Sequence, residues 1–187
     1  MTPRPVPTTP TWNLLVTSQE GQREALRNAL RPLARFRRGG FPNVLVATVE
    51  DPAVFLDGLR DLCAASEIVG ASVGKVIPVD RTLRFAAPET FRDEVLAVLE
   101  TFVDRLVGRT FFVRIFRRGF HGQIDSTRLE GEVGARLVGW LEARGDHPKV
   151  RFDDADVAVV IETLHDEVGI ALLDRARRTA YPFIRVR

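Results

Sequence analysis

Lysine is nearly missing from this chain. Of 27 basic side chains in 187 residues only Lys75 and Lys149 are lysine, which leaves 25 arginines. So uniform a bias lowers the information in any single arginine, and only clustering can support an electrostatic argument. Cysteine is reduced to Cys63, which excludes an internal disulfide. His121, His147 and His165 follow no repeated metal-ligand spacing, and no second cysteine completes a metal set with Cys63. A reduced, cytoplasmic setting and an inert, buried thiol are the expectation, with no metal and no cofactor. Long apolar runs are missing too. The stretch from Val95 to Val107 is broken by Glu100, Asp104 and Arg105, far short of the ~20 residues that cross a bilayer, so no membrane role is expected. Met1 to Thr11 carries Pro3, Pro5, Pro7 and Pro10 but no apolar segment, which excludes the hydrophobic region of a signal peptide and predicts a disordered tail.

What is present is ordinary globular composition, 45% hydrophobic and 28% charged, with a net charge of +2 and a pI near 9.2. This is too mildly basic to indicate nucleic acid by itself. Trp12 to Thr17 predicts a strand, Gln19 to Arg35 an amphipathic helix, and Arg37-Arg38-Gly39-Gly40 a turn. Val44 to Val49 reads as a second strand, and Pro52 opens a helix with Val54, Phe55, Leu59 and Leu62 on one stripe. Ile68-Val69 and Val73 to Val79 supply further strands. This alternation predicts a ferredoxin-like α/β layer over residues 12–84.

Between Arg81 and Pro88 the pattern lapses, which sets the domain junction and begins a second α/β domain at 85–187. A long helix is expected from Pro88 to Val107. Thr110 to Arg118 alternates Phe112, Arg114, Phe116 and Arg118 against Phe111, Val113, Ile115 and Arg117, which is strand spacing. A helix from Ser126-Thr127 to Glu142 follows, with Thr127 and Glu130 at capping-box distance. Lys149 to Phe152, Val157 to Leu164 and Val168 to Leu173 read as three more strands. The whole predicts an α+β protein.

Chemistry has few candidates. Asp153, Asp154 and Asp156 offer oxygen ligands for a hard cation, but a solvated acidic turn between two strands is the default. No serine sits in a nucleophile elbow, and Gly131, Gly134 and Gly139 fall inside a helix rather than a phosphate-binding loop. No active site emerges, and the expectation is a protein that is not an enzyme. Basic clusters remain. Arg114, Arg117, Arg118 and His121, interleaved with Phe116 and Phe120, end a strand and lead through glycines into a helix N-terminus. Such a segment can bind phosphates through guanidiniums and helix amides, or it can be a solvated strand end over core phenylalanines. Arg175, Arg177 and Arg178, with Arg185 and Arg187, bracket Thr179 to Phe183. Arg35, Arg37 and Arg38 follow the first helix, where cations favour a helix C-terminus in any case.

Four ordered blocks resemble a THUMP domain: Phe112-Val-Arg-Ile-Phe-Arg-Arg-Gly119, Ile124 to Gly134, Lys149 to Glu162, and the closing strand Val168-Gly-Ile-Ala-Leu172. Family members commonly carry Asn-Pro where this chain has Asp154-Ala155. Trp12 to Pro78, including Leu14-Leu-Val-Thr17 and Val76-Ile-Pro-Val79, is similar to the ferredoxin-like domain that precedes it in stand-alone members. The resemblance implies recognition of the tRNA acceptor stem and its 3′ CCA end. Arg114, Arg117, Arg118 and His121 match the family's basic strand-to-loop segment. The enzymes of the family append a catalytic domain; with none legible up to Arg187, the expectation is a likeness to stand-alone members, some of which serve as adaptors for a tRNA acetyltransferase. The resemblance therefore implies tRNA as partner, together with a separate RNA-modifying enzyme. The competing expectation is a protein-interaction or homodimerising module whose arginines only solubilise it.

Overall fold

The computed structural model describes residues 12–186, so the Met1 to Thr11 tail and Arg187 lie outside the described residues. The described residues form two sheets and six helices in an α+β arrangement. The first sheet is built from β1 (Leu14–Ser18), α1 (Arg23–Ala29), β2 (Arg37–Arg38), β3 (Val44–Ala47), α2 (Pro52–Ala65), α3 (Glu67–Ser72) and β4 (Val73–Pro78). Its strands run in the order β2-β3-β1-β4, all antiparallel. The second part comprises β5 (Arg81–Arg84), α4 (Phe91–Glu100), a 3-10 turn (Val103–Leu106), β6 (Thr110–Phe116), α5 (Ser126–Glu142), β7 (Lys149–Val150), β8 (Val157–Leu164), β9 (Glu167–Asp174) and α6 (Arg175–Ala180). The second sheet has the order β5-β9-β8-β6-β7, with β6 parallel to β7 and β8 and the other pairs antiparallel.

The second sheet is covered on both faces, which explains why β8 is buried at every residue rather than alternating. On one face Phe111, Val113, Ile115, Val159, Ile161 and Ile170 pack with α4 and α5 residues such as Val95, Leu99, Val133 and Leu137. On the other face Phe112, Ala158, Val160, Ala171 and Leu173 join a core that includes Trp12, Leu14, Val16 and Val76 of the first part. The two sheets therefore share apolar packing. Gly169 shows how close that packing is, since a Cβ there would lie 2.3 Å from Cη2 of the fully buried Trp12. Gly169→Ala should lower the unfolding free energy by about 1–3 kcal/mol in urea titrations, the usual cost of overpacking a rigid core, and a neutral outcome would mean that Trp12 can move aside.

Several local expectations are corrected. Arg81 to Arg84, where the pattern lapses, is a strand paired with β9 from Arg81↔Ile170 to Arg84↔Glu167. Only Thr82 and Leu83 of it are buried, so the flanking arginines mask the signal. Ile68-Val69 is helical, because Ser66 caps α3 by accepting from the Val69 amide, and Ile68 is 82% exposed. The expected helix from Pro88 to Val107 is shorter, ending at Glu100 before the 3-10 turn, and the one from Gln19 to Arg35 narrows to Arg23–Ala29. Arg37-Arg38, read as a turn, is an edge strand. The strand expected at Lys149 to Phe152 is confined to Lys149–Val150. The capping box of Thr127 and Glu130 does not form. Asp125 caps α5 instead, accepting from the Arg128 amide at 3.1 Å. Glu130 accepts the Ile115 amide at 2.7 Å, satisfying the edge of β6 beyond the reach of the short β7.

Candidate nucleic-acid interface

Four loops meet at one end of the second sheet. The β8–β9 hairpin turns at His165 and Asp166, and Phe85, just after β5, donates its amide to the Asp166 carbonyl. The turn after β6 brings Gly119 so close that a Cβ on it would lie 3.6 Å from the Phe41 ring. Phe41, from the loop between β2 and β3, stacks on His165. Topology dictates this meeting, because β6 and β8 run parallel and both finish here while β5 ends beside the start of β9.

The charges at this end are shared unequally. Glu167 accepts hydrogen bonds from Trp12 Nε1 at 2.9 Å, Arg37 at 3.2 Å and Arg84 at 2.8 Å. Arg84 also lies 3.9 Å from Asp166. Glu24 pairs with Arg23, Arg27 and Arg38 at 3.3, 2.8 and 3.1 Å. Glu162, fully buried, holds Lys75 at 2.5 Å and also pairs with Arg118. Seven cations thus share four carboxylates among the described residues, and Arg117 beside them bonds only the Gly119 carbonyl, at 2.9 Å. The carboxylates fix the guanidiniums in place without cancelling their charge. A surface of this kind attracts phosphates with little reorganisation.

Arg117 also faces a cleft of about 690 Å³ at the N-terminus of α5, which Arg92 and Arg128 line together with Glu89, Asp125 and Glu132. Phe120, in left-handed backbone at φ +50°, packs on Phe85 with centroids 5.1 Å apart.

Burial works to raise the pKa of Glu167, but the hydrogen bonds from Arg84, Arg37 and Trp12 outweigh it, and the carboxyl sits below its ordinary value of 4.5. A depressed folded value means that this stabilisation is complete above the ordinary carboxylate range and is lost as pH falls through the lower folded value. Urea midpoints should therefore decline below about pH 4.5, and a Glu167→Gln variant should show a flatter acid limb. Parallel acid limbs in the two proteins would refute a linkage through this carboxyl.

The sequence-derived candidates separate into two groups. Arg114 reaches Glu130 at 3.5 Å, Arg117 and Arg118 lie at the hairpin end, and His121 is exposed in the turn that follows. Phe116 and Phe120 are half-buried packing residues, with the Lys75 ammonium over the Phe116 ring. Arg175, Arg177 and Arg178 lie on α6, which follows Asp174, the residue paired with Val157 at the opposite end of β8. At about 3.3 Å per residue the two ends of the eight-residue β8 are roughly 23 Å apart along the strand, so the structure does not bring these clusters together. Arg175 is bound to Asp154 and Asp156 at 3.0 and 2.9 Å, and Arg178 donates to the Leu173 and Ala155 carbonyls. Arg185 is exposed near the C-terminus. Asp156 also accepts from the Thr110 hydroxyl and amide, which hold its carboxyl below the usual range. Among the described residues no group of three His, Cys, Asp or Glu is placed to hold a metal ion, and no helix is long and apolar enough to cross a membrane.

Arg23, Arg27 and Arg84 are the residues that sequence reasoning passed over, and it gave Arg37 and Arg38 little weight. Arg37 and Arg38 stood out only as cations after a helix, and Arg84 fell in the unpatterned stretch. The one available signal was the doublet Arg37-Arg38 ahead of Gly39-Gly40.

No family model matches the chain, and no curated protein matches it in sequence. Solved structures share its fold. PH1313 from Pyrococcus horikoshii OT3 superposes with a TM-score of 0.56 at 14% identity, over 86% of this chain and 53% of that one. TrmN from Thermus thermophilus gives 0.57 at 20% identity over 85% and 44%. A predicted N6-adenine-specific DNA methylase from Listeria monocytogenes gives 0.51 at 9% identity over 86% and 40%. The chain spans about half the length of the first two, at 53% and 44%.

Proposed function

We propose that this chain is a non-catalytic tRNA-binding protein, built from a ferredoxin-like unit and a THUMP-like unit, that presents the acceptor stem and 3′ CCA end to a separate RNA-modifying enzyme. The order βαββααβ, a ferredoxin-like βαββαβ with its second helix followed by the short α3, and the strand order β2-β3-β1-β4 support the ferredoxin-like reading of the first unit. The fold shared with TrmN and PH1313 supports the second. The observation that carries the function is the gathering of under-neutralised arginines from both units at the hairpin end: Arg37 and Arg38 from the first, Arg84, Arg117 and Arg118 from the segments that build the second sheet. Fixed guanidiniums with incomplete counter-charge suit a sugar-phosphate backbone, and they bind in a salt-dependent way.

The test is a gel shift of the protein with intact tRNA and with tRNA trimmed of its 3′ terminus, across a salt series. Binding should weaken steeply with salt and fall on trimming. Equal affinity for both RNAs would remove the CCA end from the proposal. Absence of RNA retention at physiological salt would leave the protein-interaction or homodimerising module, which sedimentation would then measure.

A further inference from the structure

Beside the arginines lies a pair of rings that phosphate binding leaves unused. His165 closes the β8–β9 hairpin in left-handed backbone at φ +54°, a conformation that most side chains avoid. Its imidazole stacks on Phe41 with ring centroids 4.4 Å apart and 24° between planes, so each unit of the fold supplies one ring. Gly40, itself at φ +81°, backs the Nε2–Cδ2 edge so closely that a Cβ there would lie 2.6 Å from Nε2. Phe41 is half-buried. The imidazole rests on Phe41 through one face and on Gly40 through one edge, and His165 as a whole is exposed.

The setting selects the kind of ligand. Arg38 precedes Gly39 and Gly40 in the chain, and Arg117 donates to the carbonyl of Gly119, whose Cα side packs near Phe41 and His165. An aromatic face with held cations in the adjoining loops suits the alternation of base and phosphate along a single strand, where stacking is tolerant of sequence and arginines track the backbone. A strained turn residue held by packing from two units is the sort of outlier that marks a ligand contact.

Resting on the RNA-binding reading above, we propose that His165, supported by Phe41, is the platform on which an unpaired base of the bound RNA stacks, with Arg38 and Arg117 holding the adjoining phosphates. The experiment is fluorescence anisotropy of the full chain with an RNA hairpin bearing a short single-stranded 3′ tail, and with the same hairpin whose tail nucleotides are abasic. Removing the bases should weaken binding to the unmodified protein on the order of tenfold. His165→Asn, which tolerates the left-handed turn, should bind the ordinary tail about tenfold more weakly and cease to distinguish the two RNAs. His165→Tyr should retain the distinction. Thermal melting of both variants separates a lost contact from a lost fold, and should the asparagine variant melt early, the tyrosine variant and the abasic comparison on the unmodified protein still decide. An asparagine variant that discriminates as well as the unmodified protein overturns the proposal. So does unmodified protein that binds both RNAs equally in a salt-dependent way, which leaves RNA binding itself intact. If neither RNA binds at any salt, the reading beneath it fails as well.

Discussion

Replacing Glu162 with glutamine should lower the unfolding free energy by about 3–5 kcal/mol, a large part of the ~5–15 kcal/mol that holds a typical domain together. Glu162 is fully buried on β8 and serves two cations from different parts of the chain: Lys75 on β4 of the first sheet, and Arg118 just beyond β6 of the second. Burial pushes the Lys75 ammonium below the usual lysine range, against the pull of Glu162, and the Phe116 ring 3.0 Å away supplies further contact. Glutamine keeps the shape but removes the charge, which strands an ammonium that is 12% exposed and a guanidinium that is 20% exposed. An uncompensated buried charge costs far more than an intact pair contributes. The converse follows from the same reasoning: replacing Lys75, Glu162 and Arg118 together by apolar residues of similar volume should come close to neutral. Urea unfolding followed by circular dichroism measures both. A loss below about 1 kcal/mol for Glu162→Gln would show that water reaches the cluster and screens it.

The triple variant Arg37→Ala, Arg38→Ala and Arg117→Ala should bind tRNA on the order of a hundredfold more weakly at physiological salt, taking about 1 kcal/mol for each phosphate contact. Its salt dependence should also flatten by nearly one unit per lost contact. These three are chosen so that the fold survives. Glu167 keeps Arg84 and Trp12 when Arg37 goes, Glu24 keeps Arg23 and Arg27 when Arg38 goes, and Arg117 among the described residues bonds a carbonyl and no carboxylate. By the same geometry Arg175→Ala, at the far end of β8, should leave the slope unchanged. Identical slopes for the triple variant and the unmodified protein would mean that RNA, if bound, lies elsewhere on the surface.

Most of the elements were legible in the sequence because their burial is periodic. The runs at Leu14, Val44, Val73, Thr110, Val157 and Val168 all begin strands or fall within them, and α5 follows its apolar stripe, whereas α2 buries Phe55, Leu56 and Leu59 and leaves Val54, read as part of its stripe, 68% exposed. Legibility failed where a short element has little to bury. β5 shows two arginines around a buried pair, and the Ile68-Val69 dipeptide, β-branched in composition, is turned into helix by the Ser66 cap. The interface was half legible. Arg117 and Arg118 stood out as a cluster, but Arg37 and Arg84 lie 130 and 83 residues from the Glu167 they share.

By itself the sequence determined the α+β class, the strands that form the interior, the lack of any periodic metal or nucleophile motif, and an arginine-rich segment ending β6. These are local properties, written in the spacing of apolar and basic residues along a few turns or one strand. Only the tertiary structure decided which arginines stand together. Strand direction sends Arg117 and Arg118 to one end of the second sheet and Arg175 to the other, while the packing of Trp12 against Gly169 carries Arg37 and Phe41 to the hairpin end. Charge acts through space rather than along the chain, so its partners are chosen by topology.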